Sequence, residues 1–315
     1  MTFPKGFFIG AATAAHQVEG NNIHSDYWAQ ELLPHTSFAE PSGAACDHYN
    51  RYEEDIRLLA DAGLNAYRFS VEWARIEPEE GRFDVSEIEH YRRVIACCRE
   101  NGVEPIVTLM HFTSPVWLIR KGGWEAESTV EDFRRYAAYV TEQLGSELNY
   151  ICTINEANMG LQLAAIAKRF QLMAQQAAAK AKSAEGTVQV GMNFEKMMEN
   201  MKFAAAENAQ VFGTPQPQIF VSSRTPEGDA LVMRAHRAAK AAIKAITPRS
   251  GWASRSPCTT ARHCPAARHS RRPPGRRNSG TICPILRTTI SSAYRTTPAR
   301  STVPRGSCPA RRARS

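Results

Sequence analysis

Residues 65–110 read NAYRFSVEWARIEPEEGRFDVSEIEHYRRVIACCRENGVEPIVTLM. Asn65–Val71 and Glu104–Met110 are short runs dense in aromatic and branched apolar side chains, the pattern of strands buried on both faces. Between them, Ser86–Asn101 spaces its apolar residues three and four apart, which predicts an amphipathic helix. Gly102 stands where that helix should stop. Strand, helix and strand in this order make a βαβ unit with parallel strands.

The same pattern extends in both directions. Phe7–Ala15 and Tyr150–Ile154 read as two further buried strands, and Asn50–Ala62 and Val130–Leu144 as amphipathic helices closed by Gly63 and Gly145. Helices are also predicted over Leu161–Lys182 and Asp229–Ile246, with a loop over Pro215–Pro226. The Met residues of Asn193–Gln210 read as packing side chains rather than a ligand box.

Charge divides the chain. It has 315 residues with 39 basic and 31 acidic side chains, net +8. Fifteen of the basic residues are Arg at or after Arg249, where Lys, Asp and Glu are absent, so the preceding part carries 24 basic against 31 acidic, net −7. Beyond Thr247 neither helical nor strand periodicity persists, which predicts a disordered Arg/Pro-rich tail over 248–315. Eight scattered cysteines without C-x-x-C spacing predict a reduced, cytoplasmic protein. The apolar start passes directly into His16, Gln17 and Glu19, so it reads as a strand rather than a signal peptide, and no stretch is long enough for a membrane helix.

Polar residues close each apolar run: His16, Gln17 and Glu19 after the first, Arg68 within the second, His111 after the third, and Asn155 and Glu156 after the fourth. In an α/β barrel such positions build the active site. Taken singly, Asn155–Glu156 could be a helix cap, His111 a core histidine, Arg68 a structural ion pair, and Trp28, Trp73, Trp117 and Trp124 core packing.

Together the segments FPKGFFIGAATAAHQVEG (3–20), NAYRFSVEWARIEP (65–78), VTLMHFTSPVWL (107–118) and TINEAN (153–158) resemble successive signatures of family 1 of the glycoside hydrolases. The resemblance implies an α/β fold: a partial (β/α)8 TIM barrel of about the first four βα units, spanning residues 1–247. It implies a retaining β-glycosidase of β-glucosidase type, with no metal or other cofactor and a small β-glycoside or oligosaccharide as partner. On this resemblance Glu156 is the acid/base, Asn155, Gln17 and His111 bind sugar hydroxyls, and Arg68 supports the nucleophile.

Two departures stand out. Ala157 occupies the place of a family Pro, and no Asp or Glu follows Asp229, so the nucleophile is absent and the chain is expected to be inactive. Back-translating Trp252–Thr260 from the third base permits Gly-Leu-Thr-Leu-Ser-Leu-His-Asp. The same offset over Gly280–Thr297 permits a stretch with Asp-Phe-Ile-Gly and Asn-Tyr that resembles a later family segment. A frameshift near Thr247–Gly251 is therefore expected. The alternatives are a non-catalytic sugar-binding remnant and a nucleic-acid binder using the Arg-rich tail.

Overall fold

The computed structural model describes residues 3, 4, 6–181 and 194–247, all within one compact unit, Met1–Pro265. The expectations for 248–315 lie outside the described residues. In chain order the elements are β1 (Gly10–Ala12), α1 (Ala15–Val18), α2 (Asp26–Glu31), α3 (His48–Asp61), β2 (Ala66–Ser70), α4 (Trp73–Ile76), α5 (Val85–Glu100), β3 (Glu104–Met110), α6 (Val116–Arg120), α7 (Ser128–Leu144), β4 (Tyr150–Ile154), α8 (Met159–Ala181), α9 (Phe194–Phe212) and α10 (Pro226–Ile246).

The strands are parallel and ordered β1-β2-β3-β4. Because βαβ crossovers are right-handed, strands laid down in sequence order put every crossover helix on one face, the winding of a barrel rather than of a two-faced sheet. Helices α3, α5, α7 and α10 pack in succession along that face, and α10 also contacts β4. Ile56, Ile88, Ile95, Phe133 and Leu231 from the helices meet Tyr67, Val107 and Leu109 of the strands in one buried core. The structure is thus α/β with four βα units, as expected. No helix among the described residues is long and apolar enough to cross a membrane.

Local signals account for most boundaries. The Asp84 side chain caps α5 at the Ser86 N–H, and Thr225 caps α10 at Gly228, with Pro226 in the first turn. Gly63 and Gly102 have φ of 78° and 71°, the left-handed stop expected after α3 and α5. Gly145 does not follow that expectation: its φ is −63°, and it opens a short 3-10 turn, Gly145–Glu147. A Cβ there would lie 2.9 Å from Thr141 Cγ2 and 3.0 Å from Thr247 Cγ2, so close packing of the α7 and α10 ends is what favours glycine.

The first strand is shorter than its apolar run. Only Gly10–Ala12 pair with β2, because the chain then bends: Thr13 N donates to Arg68 O at 2.9 Å and Ala15 N to Ser70 Oγ at 2.7 Å. His16 and Gln17 consequently sit on the helical turn α1 rather than on a strand.

Beside this bend lies a buried ion cluster. Glu19 is held by Arg75 Nε at 3.0 Å and by the Tyr91 hydroxyl at 3.1 Å, while Arg75 also donates to Gly20 O. Burial raises the Glu19 carboxyl to about 8, against the lowering pull of Arg75 and Tyr91. Removing Arg75 leaves an unpaired buried carboxyl, so Arg75→Met should destabilise by about 3–5 kcal/mol when Glu19 is charged. The raised pKa sets the sign: the loss should be largest near pH 9 and shrink toward pH 6, where Glu19 takes up a proton. Urea unfolding at both pH values measures it, and a pH-independent loss would contradict this account.

Candidate active site

Parallel register brings the strand ends level: Ser70 pairs with Thr108, Thr108 with Cys152, and Met110 with Ile154. Arg68 on β2 then reaches sideways. Its Nε donates to Thr108 Oγ1 at 2.9 Å and its Nη2 to Asn155 Oδ1 at 2.6 Å. Asn155 is buried, and its backbone N–H is fixed to Met110 O at 2.9 Å. Arg68 and Asn155 are therefore in direct contact, two of the residues singled out from sequence.

His111 follows β3 at the same end and is half-buried, edge-on to Phe112. Its Nδ1 is buried with no hydrogen-bond partner among the described residues, a polar atom available to a ligand. Burial first, and the Arg68 charge second, push the imidazole down to about 3, so it is neutral around pH 7. A neutral imidazole can exchange hydrogen bonds with a hydroxyl without bringing a buried charge.

Gln17 on α1 and Glu156 after Asn155 both expose their side chains on this rim. Gln17, His111, Asn155 and Glu156 follow the C-terminal ends of their strands, whereas Arg68 lies mid-strand on β2 and reaches that end through its side chain. Glu156 is exposed, whereas Asn155 and Ala157 on either side of it are buried. Glu156 has φ 46° and Phe112 φ 75°, left-handed conformations that non-glycine residues rarely adopt. Such strain concentrates at functional sites.

Sequence reasoning missed the polar framework beneath the rim. His16, beside Gln17, is buried with Nε2 at 2.8 Å from Glu31 Oε1 and Nδ1 at 3.2 Å from Asn22 Nδ2, and the other Glu31 oxygen accepts from Ser42 N and Oγ. Asp26 is fully buried and accepts from the Ser114 N–H at 3.0 Å, joining the loop after β1 to the loop after β3. Desolvation holds its carboxyl well above the usual range. Only Ser25 before α2, a helix-cap residue, gave any local hint of this arrangement.

Two of the four tryptophans considered from sequence are core residues, while Trp117 is half-buried against the core and Trp28 is half-buried. Trp73 and Trp124 are buried, with Nε1 donating to Glu77 and Ser114, and Trp117 Nε1 donates to Glu77 O. Ala157 is buried, and its carbonyl accepts from Arg224, whose other nitrogen donates to Phe220 O at 2.8 Å. Among the described residues no group of three or more His, Cys, Asp or Glu is arranged to hold a metal ion.

This geometry can be set beside known proteins. β-Glucosidase A of Acetivibrio thermocellus is 38% identical over 163 residues, 50% of this chain and 36% of that protein. Coniferin β-glucosidase of Pinus contorta is 38% identical over 169 residues, 51% of this chain and 33% of its own length. The chain thus spans about a third of the curated relatives it matches. The crystal structure of β-glycosidase BGL167 superposes with a TM-score of 0.65 and 44% identity, covering 78% of this chain and 54% of that one. The apo structure of a β-glucosidase, 1317, gives 0.63 and 33%, covering 78% and 55%. The family described as Glycosyl hydrolase family 1 matches residues 1–189, the stretch that holds all four strands and every rim residue named above, and the chain belongs to that family.

Proposed function

We propose that the chain carries the acid/base and sugar-holding half of a retaining β-glycosidase acting on β-glucosides or β-galactosides. The observation that carries this reading is the Asn155–Glu156 pair at the end of β4, its amide fixed across two strands by Arg68 while the carboxyl stays exposed. In this reading Glu156 gives a proton to the leaving oxygen, and Asn155 holds the sugar hydroxyl next to the scissile bond. Gln17 and the neutral His111 hold hydroxyls farther along the ring.

Retention requires a second carboxyl about 5 to 5.5 Å from the first, to attack the anomeric carbon. No acidic residue follows Asp229, so the chain as it stands lacks the covalent route. The frameshift near Thr247–Gly251 would explain why. A cytoplasmic location is part of the proposal, supported by eight scattered cysteines without C-x-x-C spacing. The small molecule is a β-glycoside or oligosaccharide.

Purified 315-residue chain should show no more than trace hydrolysis of nitrophenyl β-glucoside, whereas restoring the frame across codons 247–251 should yield a retaining enzyme that Glu156→Gln abolishes. Substantial turnover by the chain itself, lost in Glu156→Gln, would overturn the inactive reading. An inactive frame-restored protein would overturn the ancestry.

The pH behaviour of His111 provides a second check. Its folded value of about 3 lies below the ordinary 6.5, so the folded chain stays unprotonated there while the unfolded chain takes up a proton. This residue should cost stability as pH falls from about 6.5 toward 3. Imidazole NMR signals of His111 should be flat between pH 5 and 8, and Arg68→Met should raise its titration. A midpoint near the ordinary value in the unmutated chain would refute the buried neutral imidazole.

A further inference from the structure

We propose that α9 is a clasp joining the loops after β1 and β3, with His35 and Glu207 as its positioning pair. The inference rests on the reading above, since Gln17 and His111 are carried by these two loops.

The loops already meet. Ser25 and Pro115 form an antiparallel bridge, Asp26 N donates to Ser114 O at 2.8 Å, and Val116 N donates to His24 O at 3.0 Å. Helix α9 grips both partners of this junction. On the β1 side, His35 donates its backbone N–H to Glu207 Oε2 at 3.1 Å, and its Nδ1 lies 2.6 Å from Oε1. Its ring also stacks on Phe203, with centroids 4.6 Å apart. On the β3 side, Arg120 at the end of α6 donates to Val211 O at 2.9 Å, and α6 packs on α9. Phe203, Glu207 and Val211 are four residues apart, so all three contacts fall on one face of the helix.

The segment leaving α9 stays tied to the β3 loop. Phe212 is buried, and Trp124 N donates to Gln218 O at 3.0 Å. A Cβ on Gly123 would lie 2.1 Å from that same oxygen, so this approach requires glycine. Farther on, Glu125 accepts from Thr225 N and Oγ at 2.8 and 2.6 Å.

An exposed ion pair alone contributes little. Here the Glu207 carboxylate takes both a side-chain and a backbone donor from one residue, which fixes the loop conformation at His35 rather than merely attracting a charge. These bonds hold the Glu207 carboxyl below its usual range. The family match ends at residue 189, before α9 begins, so the helix lies outside the matched segment while His35 and Arg120, which it holds, lie within it.

Amide hydrogen exchange on the full 315-residue chain tests the clasp. Glu207→Ala should speed exchange at the Asp26 and Val116 amides about tenfold, because local opening of the junction becomes easier, while β2 and β3 amides remain as protected as before. Glu207→Gln keeps an acceptor for the His35 N–H and should recover part of the protection. In the unmutated chain the His35 imidazole should carry its proton on Nδ1, a signature lost in Glu207→Ala. If that substitution disrupts folding, Phe203→Ala removes only the ring stack and should loosen the same two amides. Unchanged exchange at Asp26 and Val116 while α9 itself loosens would overturn the proposal, as would equal behaviour of the Ala and Gln variants. Adding glucose and following His111 tests the underlying reading separately: an unresponsive imidazole in the unmutated chain sinks the sugar contact, whatever the exchange data show.

Discussion

The Arg68 guanidinium, half-buried on β2, donates to Thr108 on β3 and to Asn155 after β4, so one side chain ties three of the four strands where they end. Other buried or partly buried arginines differ from it in one respect. Arg75 meets Glu19, Arg135 meets Glu77 and Arg224 lies 3.8 Å from Asp229, whereas Arg68, among the described residues, forms no ion pair. Its acceptors are neutral, and charge-assisted hydrogen bonds to them must offset desolvation without a counter-charge. The unbalanced field reaches His111 and helps hold that imidazole neutral. In the proposed chemistry a second carboxylate would supply the counter-charge, which ties the electrostatics of this rim to the acidic residues missing after Asp229.

Sequential parallel order has a second consequence. Loops that follow the strands all emerge at one end, and the longest of them must bury polar backbone against one another. The β1 loop does so with carboxyls: Glu31 gathers His16 and Ser42, Asp26 gathers Ser114 and Tyr27, and Glu19 gathers Arg75 and Tyr91. Each acid accepts from two donors, but Asp26 takes both on Oδ1, and its Oδ2 has no partner among the described residues, in line with burial holding that carboxyl well above the usual range. Gln17 stands between the first of these clusters and the last, so its position is fixed by neighbours on both sides although its own side chain is exposed.

What the sequence made legible follows from periodicity. The runs at Asn65–Val71, Glu104–Met110 and Tyr150–Ile154 matched strands to within a residue or two, because strands buried on both faces leave a continuous apolar signal. Helix boundaries at α3, α5 and α7 shifted by two residues or fewer for the same kind of reason, with glycine stops at Gly63 and Gly102. The overlong first strand was a failure of that signal: Ala14 and Ala15 are buried and apolar, but a hydroxyl at Ser70, distant in sequence, turns the chain. Gly145 does mark the end of α7, but not as a left-handed stop, since a glycine needed for helix contact looks identical in sequence to one needed for positive φ. At the rim, His111, Asn155 and Glu156 were legible because each follows an apolar run and Arg68 because it interrupts one, while Asp26, Glu31 and Arg224 become meaningful only through partners far away along the chain.

Arg224 shows how far such partners can act. The turn after β4 bears Ala157, and two residues beyond the strand end Glu156 adopts a left-handed backbone that needs support. Arg224 provides it from just before α10, donating to the Ala157 and Phe220 carbonyls with its side chain packed so closely that a Cβ on Gly160 would lie 2.5 Å from its Nε. Residues 155–225 therefore leave and rejoin the fold at nearly one place, held at the exit by Arg224 and at the return by Thr225 on Glu125. That closure lets α10 complete the fourth unit against α7 and β4 despite the intervening helices, and it makes the carboxyl proposed as acid/base depend on a residue 68 positions downstream of it, by the numbering of Glu156 and Arg224.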